Sequence, residues 1–277
     1  MFCGTGSDVG KSIIATAICR ILRQEGLHPA PFKAQNMAPY YSLTSDGLQI
    51  ARAQGVQAEA AGVELSTDMN PLMLKPQGNY TSEVILNGVS RGMMSAMQLY
   101  EKEERAMLRK EIHTAFDRLS SQYDPIVMEG AGSISEINLR DYDLVNMPMA
   151  QYAGANIILV ADIDRGGVFA SCYGSIALQK PEDRPLIKGI IINKFRGDIR
   201  LFQEGRKMME DICKVPVLGV IPMFEDIAIE EEDTLSDSRE VNPHLQDAAF
   251  RNLQYEKLAA HVRKYLDMDK LMALLHE

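Results

Sequence analysis

A chain of 277 residues, 46% apolar and 24% charged, holds enough material for one large α/β domain or two small ones. Its net charge of −9 disfavours nucleic acid and anionic membrane surfaces as partners, because both reward a basic face. No apolar run approaches the roughly 20 residues of a membrane span, no charged-then-apolar leader is visible, and Cys3, Cys19, Cys172 and Cys213 form neither a metal spacing nor a disulfide framework, so a reducing cytoplasm is the expected setting.

The first element is a glycine-rich loop, GTGSDVGKS, from Gly4 to Ser12. Only Met1, Phe2 and Cys3 precede it. The strand that feeds it is therefore expected to be an edge strand clipped to two or three residues, against a usual length of about 5–6, which leaves open whether Met1 is the natural start. Beyond the loop, Ser12–Arg23 reads as a helix. Short apolar runs then alternate with helical patterns, the mark of a parallel sheet covered by helices on both faces. Candidate strands are Ala30–Lys33, Glu83–Leu86, Pro125–Met128, Asn156–Ala161, Lys188–Ile192 and Val217–Ile221. Leu108, Ile112, Phe116 and Leu119 recur at helical spacing, predicting an amphipathic helix over Leu99–Gln122 with His113 on its surface. Arg200–Cys213 is a further helix. The acidic stretch Glu230–Asp233 and the following Ser236–Arg239 read as a solvated loop, with a boundary near 235–245 and helical periodicity from Phe250 to Glu277.

The loop carries the clearest chemistry. A Walker A motif needs a glycine, four residues, then Gly-Lys-Ser/Thr, so that amides cradle phosphate, the lysine neutralises it and the hydroxyl ligates Mg²⁺. Here Gly10-Lys11-Ser12 is in place, but Thr5 stands at the leading glycine position and Gly4 is one residue early. The helix that follows directly supplies the context a phosphate site needs. Nucleotide contacts are expected from Gly6, Ser7, Asp8, Val9, Gly10, Lys11 and Ser12, with Ser12 on Mg²⁺. Three more strands deliver polar residues to the carboxyl end of the sheet, where ligands of open α/β sheets bind. Val127–Ser133, VMEGAGS, presents Glu129 as a candidate metal ligand. Val160–Phe169, VADIDRGGVF, presents Asp162, Asp164 and Arg165; Arg165 suits a transferring phosphoryl group or a carboxylate, while Asp162 also suits a helix cap. Ile191–Asp198, IINKFRGD, presents Asn193, whose amide can read an adenine edge. Three loops add a polar rim suited to a polyanionic substrate beside ATP: Lys33, Gln35 and Asn36; Asp68, Asn70 and Lys75; Asn138, Arg140 and Asp141. Each alone is an ordinary turn signal.

As an ordered set, GTGSDVGKS, FKAQNM, the Asp46-Gly to Arg52-Ala-Gln54 segment, DMNPLMLKP, MEGAGS, EINLRDYD, ADIDRGGVFAS and INKFRGD resemble the cobyric acid synthase family, glutamine-dependent amidoligases of cobalamin biosynthesis. The resemblance runs from Gly4 to about Ser236. It also accounts for the glycine register, since the related dethiobiotin synthetases share the same loop spacing. The resemblance implies a P-loop NTPase fold of the dethiobiotin-synthetase type. It implies MgATP-dependent amidation of peripheral carboxylates of adenosylcobyrinic acid a,c-diamide, in which ammonia displaces phosphate from an acyl phosphate. It places MgATP on Lys11, Ser12 and Glu129, adenine on Asn193, and charge stabilisation on Lys33 and Arg165. Asp46, Asp162 and Asp164 are implied as metal or substrate contacts. The partners implied are a corrinoid and either free ammonia or a separate glutaminase, with a homodimer as one candidate assembly.

Two features depart from the family pattern. Ala34 stands where proline is usual. The family also continues into a glutaminase domain of roughly 200 residues with a nucleophilic Cys, whereas residues 237–277 follow the synthetase portion (1–236) here, and Cys172 and Cys213 fall inside that portion. Asp247–Arg251 and Gln254–Leu271 resemble the extreme end of some full-length members. Residues 237–277 are accordingly expected to be a helical tail, the remnant of a deleted glutaminase body, with His244 as a stranded loop residue. The rival readings are a cobyrinic acid a,c-diamide synthase, a dethiobiotin-synthetase-like ligase, a regulatory P-loop ATPase that ligates nothing, and an inactive remnant.

Overall fold

The computed structural model describes residues 1–78, 80–224, 226–229 and 243–275. The acidic run Glu230–Asp233, Ser236–Arg239 and most of the expected 235–245 boundary lie outside the described residues. In chain order the elements are β1 (Phe2–Gly4), α1 (Lys11–Gln24), β2 (Ala30–Phe32), β3 (Gln35–Met37), β4 (Tyr41–Leu43), β5 (Gln49–Ala51), α2 (Arg52–Ala61), β6 (Leu72–Pro76), β7 (Thr81–Leu86), β8 (Val89–Ser95), α3 (Ala96–Leu99), α4 (Lys102–Ser120), β9 (Ile126–Met128), α5 (Met147–Ala153), β10 (Ile157–Asp162), α6 (Val168–Ala177), β11 (Ile187–Phe195), α7 (Gln203–Cys213), β12 (Val217–Pro222), α8 (Ala248–Tyr265) and α9 (Met268–Ala273).

Strands β1, β10, β11 and β12 pair in parallel in that order, and β2 pairs in parallel with β9. The two pieces meet where Phe2 bridges Glu129 and the Gly130 amide donates to the Phe2 carbonyl at 2.8 Å. The combined order is thus β2-β9-β1-β10-β11-β12. Strand β1 is three residues long, as expected, but it is central and not at the edge: β10 flanks it on one side and the end of β9 on the other.

The apolar runs of β10 and β11 are continuous because both faces are buried. Successive side chains alternate between faces. Ile158, Val160 and Ile191 pack with Ile14, Ile18 and Leu22 of α1, while Leu159, Ile190 and Ile192 pack with Cys172 and Ile176 of α6 and Met209 of α7. On the α1 side the core is closed by α8, through Tyr255, Leu258 and Val262. Arg20 of α1 donates from Nε to Glu256 of α8 at 2.9 Å. Gly219 of β12 permits this closure, since a Cβ there would lie 2.7 Å from the Tyr265 carbonyl.

One expected strand belongs elsewhere. Glu83–Leu86 lies in β7, which runs antiparallel between β6 and β8 in a second sheet ordered β3-β6-β7-β8. The reason is local. Asn87 and Gly88 both have positive φ (48° and 81°) and join β7 to β8 as a two-residue hairpin, and a parallel pair would need a crossover of a dozen residues. The helix predicted over Leu99–Gln122 is interrupted at Tyr100–Glu101 and continues as α4. His113 on α4 is half-buried, its ring stacked on Tyr152 with centroids 3.5 Å apart.

Candidate nucleotide and substrate site

The glycine-rich loop leaves β1 and enters α1 through Gly10, whose φ of +92° is strained for any residue with a side chain. Its neighbours fix it from two directions. From the β9 side, the turn after Glu129 folds over the loop: the Ile134 amide donates to Gly4 O at 3.1 Å and Ser133 Oγ to Thr5 O at 2.9 Å. Lys11, buried at the base, donates from Nζ to Gly6 O at 3.1 Å and Gly132 O at 3.0 Å. An ammonium held by two backbone carbonyls lies at the mouth of a helix N-terminus, where anionic phosphate is favoured.

From the β11 side, Asn193 donates from Nδ2 to Val9 O at 2.9 Å, and Lys194 donates to the Asp8 carbonyl. Asp162, at the end of β10, accepts the Asp164 amide at 2.8 Å and pairs with Lys194 at 3.2 Å. Arg165 reaches both Asp8 (3.4 Å) and Asp162 (3.7 Å) and remains 67% exposed. Asp164 pairs with Arg196 at 2.8 Å. Of the four expected residues, Arg165 and Asn193 thus brace the loop directly, Asp162 acts on it through Arg165 and Lys194, and Asp164 is engaged with Arg196. The Asn193 amide nitrogen expected to read adenine is engaged with the loop backbone.

Across the sheet, the register of β2 with β9 pairs Phe32 with Met128, and the next residues on each strand, Lys33 and Glu129, form an ion pair at 3.0 Å. Both are buried. Gln54 and Gln57 of α2 donate to the two Glu129 oxygens at 3.1 and 3.2 Å, and Asn36 donates to Gln54 at 3.1 Å. Sequence reading missed Gln57 and the way Gln54 acts. The available signal was two glutamines three residues apart on a helix otherwise lined with alanine, which places both on one face.

A cavity of about 680 Å³ opens between the loop and the second sheet, within the usual size of a small-molecule site. Lys11, Ser12, Lys33, Gln35, Asn36 and Arg140 line it, with Ser7, Asp8, Gly10 and Asp141. The structure therefore brings the loop and two of the three polar rim segments together. It leaves others outside. Asp46 is exposed in the β4–β5 turn and bonded to Thr44. Asp68 is held by Arg118 through Nε at 3.1 Å. Asn70 is buried and donates to Lys33 O at 2.8 Å. Lys75 is buried over the Tyr41 ring and bonded to Gln49, and Asn138 is exposed. None of these five lines the cavity. Among the expected metal ligands only Ser12 does, and no group of three or more His, Cys, Asp or Glu suited to a metal occurs among the described residues. No helix among them is long and apolar enough to cross a membrane.

Residues 1–235 match the CbiA family, described as the CobQ/CobB/MinD/ParA nucleotide binding domain. The chain belongs to the CbiA family. Its mostly parallel sheet, helices on both faces and phosphate loop are those of a P-loop NTPase, as expected. Within that CbiA portion the chain is 66% identical over 235 residues to a cobyric acid synthase of Bacteroides fragilis, covering 85% of this chain and 48% of that protein. A cobyric acid synthase of Phocaeicola vulgatus is likewise 66% identical over 235 residues, covering 85% of this chain and 47% of that protein. The chain spans about half the length of the curated relatives it matches. Among solved structures, the signal recognition particle receptor FtsY of Elizabethkingia anophelis with GDP is 14% identical with a TM-score of 0.44, over 80% of this chain and 56% of that one. The likeness to cobyric acid synthases expected from the ordered motifs thus holds across the CbiA domain.

Proposed function

We propose that this CbiA domain is the synthetase of a cobyric acid synthase-type amidoligase, which uses ATP and ammonia to amidate peripheral carboxylates of adenosylcobyrinic acid a,c-diamide. The observation that carries the reading is the cavity joining the Lys11–Ser12 phosphate loop to the polar rim at Gln35, Asn36, Arg140 and Asp141, in a chain 66% identical to cobyric acid synthases over this region.

ATP is proposed to lie with its phosphates on the loop amides and Lys11, with Asn193 holding the loop in shape from below. The set Gly10, Lys11 and Ser12 fits a nucleotide with Mg²⁺, because a helix N-terminus, a cation and a hydroxyl converge there. Mg²⁺ would supply neutralisation of the phosphate charge, with Ser12 as its protein ligand. The carboxylate of Glu129 already accepts from Gln54, Gln57 and Lys33, and in this reading it positions the Lys33 ammonium at the cavity wall. In this reading Lys33, at the cavity wall, and Arg165, exposed beside the loop, stabilise the charge that develops as a substrate carboxylate takes the γ-phosphoryl group, a step governed by positioning and electrostatics. Ammonia then attacks the acyl carbon and phosphate leaves. The ammonia is proposed to be supplied free or by a glutaminase, and α8, which packs on α1, is read as part of a helical appendage.

The test is incubation with MgATP and cobyrinic acid a,c-diamide, with ammonium or with glutamine, followed by product masses. Amidation with ammonium but not glutamine is the expected result. ATP turnover indifferent to the corrinoid, with no mass change, overturns the reading in favour of a nucleotide switch.

A further inference from the structure

The wall of the cavity formed by α3, α4 and the segment Leu139–Asp143 contains a cation that the mechanism above does not use. Arg105, in the first turns of α4, is 8% exposed and lines the cavity. Its Nη2 is buried with no hydrogen-bond partner among the described residues. A buried guanidinium nitrogen without an acceptor is unusual, because desolvation of a charged group is costly unless a partner compensates. The surroundings do not supply one. Burial and the neighbouring Arg109 both push the Arg105 pKa down, and Asp143 opposes them less strongly. The Asp143 Oδ1 is itself occupied by the amides of Val145 and Asn146 at 2.8 and 3.0 Å.

Beside Arg105 lies a stacked aromatic pair. The rings of Tyr100 and Tyr142 stack with centroids 4.3 Å apart, the Arg105 guanidinium sits 5.7 Å from the Tyr142 ring centre, and both tyrosines line the same cavity. A buried guanidinium nitrogen that lacks an acceptor, next to an aromatic pair on the same cavity wall, suits a carboxylate carried on a large apolar body. We propose that Arg105 anchors a carboxylate of the substrate that is not being activated, with the Tyr100–Tyr142 pair against the adjoining apolar framework. The guanidinium fork matches a carboxylate in two-point geometry. Such an anchor sets which carboxylate of a polyacid reaches the phosphate loop. This inference rests on the corrinoid reading above and names the part of the same cavity that recognises the acid.

The experiment compares binding of cobyrinic acid a,c-diamide, and of the same corrinoid with all its carboxylates amidated, to the wild-type protein and to Arg105→Met and Arg105→Lys, with MgATP affinity and thermal midpoint measured on each. The wild type is expected to prefer the acid. Arg105→Met should bind the acid about 10- to 100-fold more weakly, the loss expected for a hydrogen bond to a charged group, with binding of the amidated corrinoid and of MgATP unchanged. Arg105→Lys should fall between. The thermal midpoint of Arg105→Met should not fall, since an uncompensated buried charge is removed, whereas a purely structural arginine would lower it. Acid binding undiminished in both variants overturns the inference alone. Failure of the wild type to bind the acidic corrinoid overturns the proposed function and the inference with it.

Discussion

Lys33 and Glu129 stand side by side at the carboxyl ends of β2 and β9, 3.0 Å apart, with side chains 4% and 0% exposed. Removing one member of a buried pair leaves the other uncompensated. Lys33→Met is therefore expected to lower unfolding free energy by about 3–5 kcal/mol, and Glu129→Gln by a comparable amount. The double variant should recover part of the loss, because it leaves neither charge unpaired and the new amide oxygen can still accept from α2. Urea unfolding of the wild type, the two single variants and the double variant gives the coupling energy. Strictly additive losses would show that the two side chains do not act as a pair.

This pair also shows where sequence reading reaches its limit. Lys33 and Glu129 were both legible as polar residues closing apolar strands, and the carboxyl end of a parallel sheet predicted their general location. Their pairing was not legible, because it depends on β2 and β9 being neighbours across almost a hundred residues. The same holds for β1: its length could be counted, while its central place depends on Phe2 meeting Glu129. Asp46, Asp68 and Lys75 sat in motif-like stretches, yet their side chains are used by Thr44, Arg118 and Gln49. Arg105 lies on an amphipathic helix rich in charge, where nothing in the local pattern distinguishes a buried arginine from a solvated one.

Gly10 and Asn193 form a second testable contact. A Cβ at Gly10 would lie 2.2 Å from Asn193 Nδ2, at a φ of +92°. Gly10→Ala is expected to cost about 1–3 kcal/mol of stability through backbone strain and to weaken ATP binding by displacing the loop. Asn193→Ala removes the bond to Val9 O and should cost about 1 kcal/mol. Because it also removes the clashing amide, the double variant should lose less than the sum of the two. Binding of a fluorescent ATP analogue, together with thermal unfolding, reads both effects. Full additivity would mean that the strain is confined to the backbone.

Arg165 separates stability from chemistry. Its pairs with Asp8 and Asp162 are long and its side chain is 67% exposed, so Arg165→Ala should change unfolding free energy by less than about 1 kcal/mol. If it faces the transferring phosphoryl group, kcat for corrinoid-dependent phosphate release should fall about 100-fold, with ATP affinity little altered. Steady-state kinetics with a urea titration decides this. An unchanged kcat would leave Arg165 only its pairing with Asp8 and Asp162.

The four cysteines predict a specific alkaline weakness. Burial pushes the thiols of Cys3 and Cys172 from the ordinary value of 9.0 up to about 12, and raises Cys19 and Cys213 in the same direction. Above pH 9 the unfolded chain releases these protons while the folded chain keeps them, so the unfolded state binds fewer protons and stability falls as pH rises. The contribution is complete below pH 9 and disappears progressively towards pH 12. Each thiol removes up to about 1.4 kcal/mol per pH unit in that window. From pH 8 to pH 10, Cys3 and Cys172 together should lower unfolding free energy by about 2–3 kcal/mol. Tyrosine and lysine titration adds to the same trend, so the decisive comparison is Cys172→Ala, which lies outside the phosphate loop and the cavity. Its stability should decline less steeply than that of the wild type between pH 8 and pH 10, by about 1 kcal/mol over the interval. Identical slopes for the two proteins would show that Cys172 ionises in the folded state as readily as in the unfolded one.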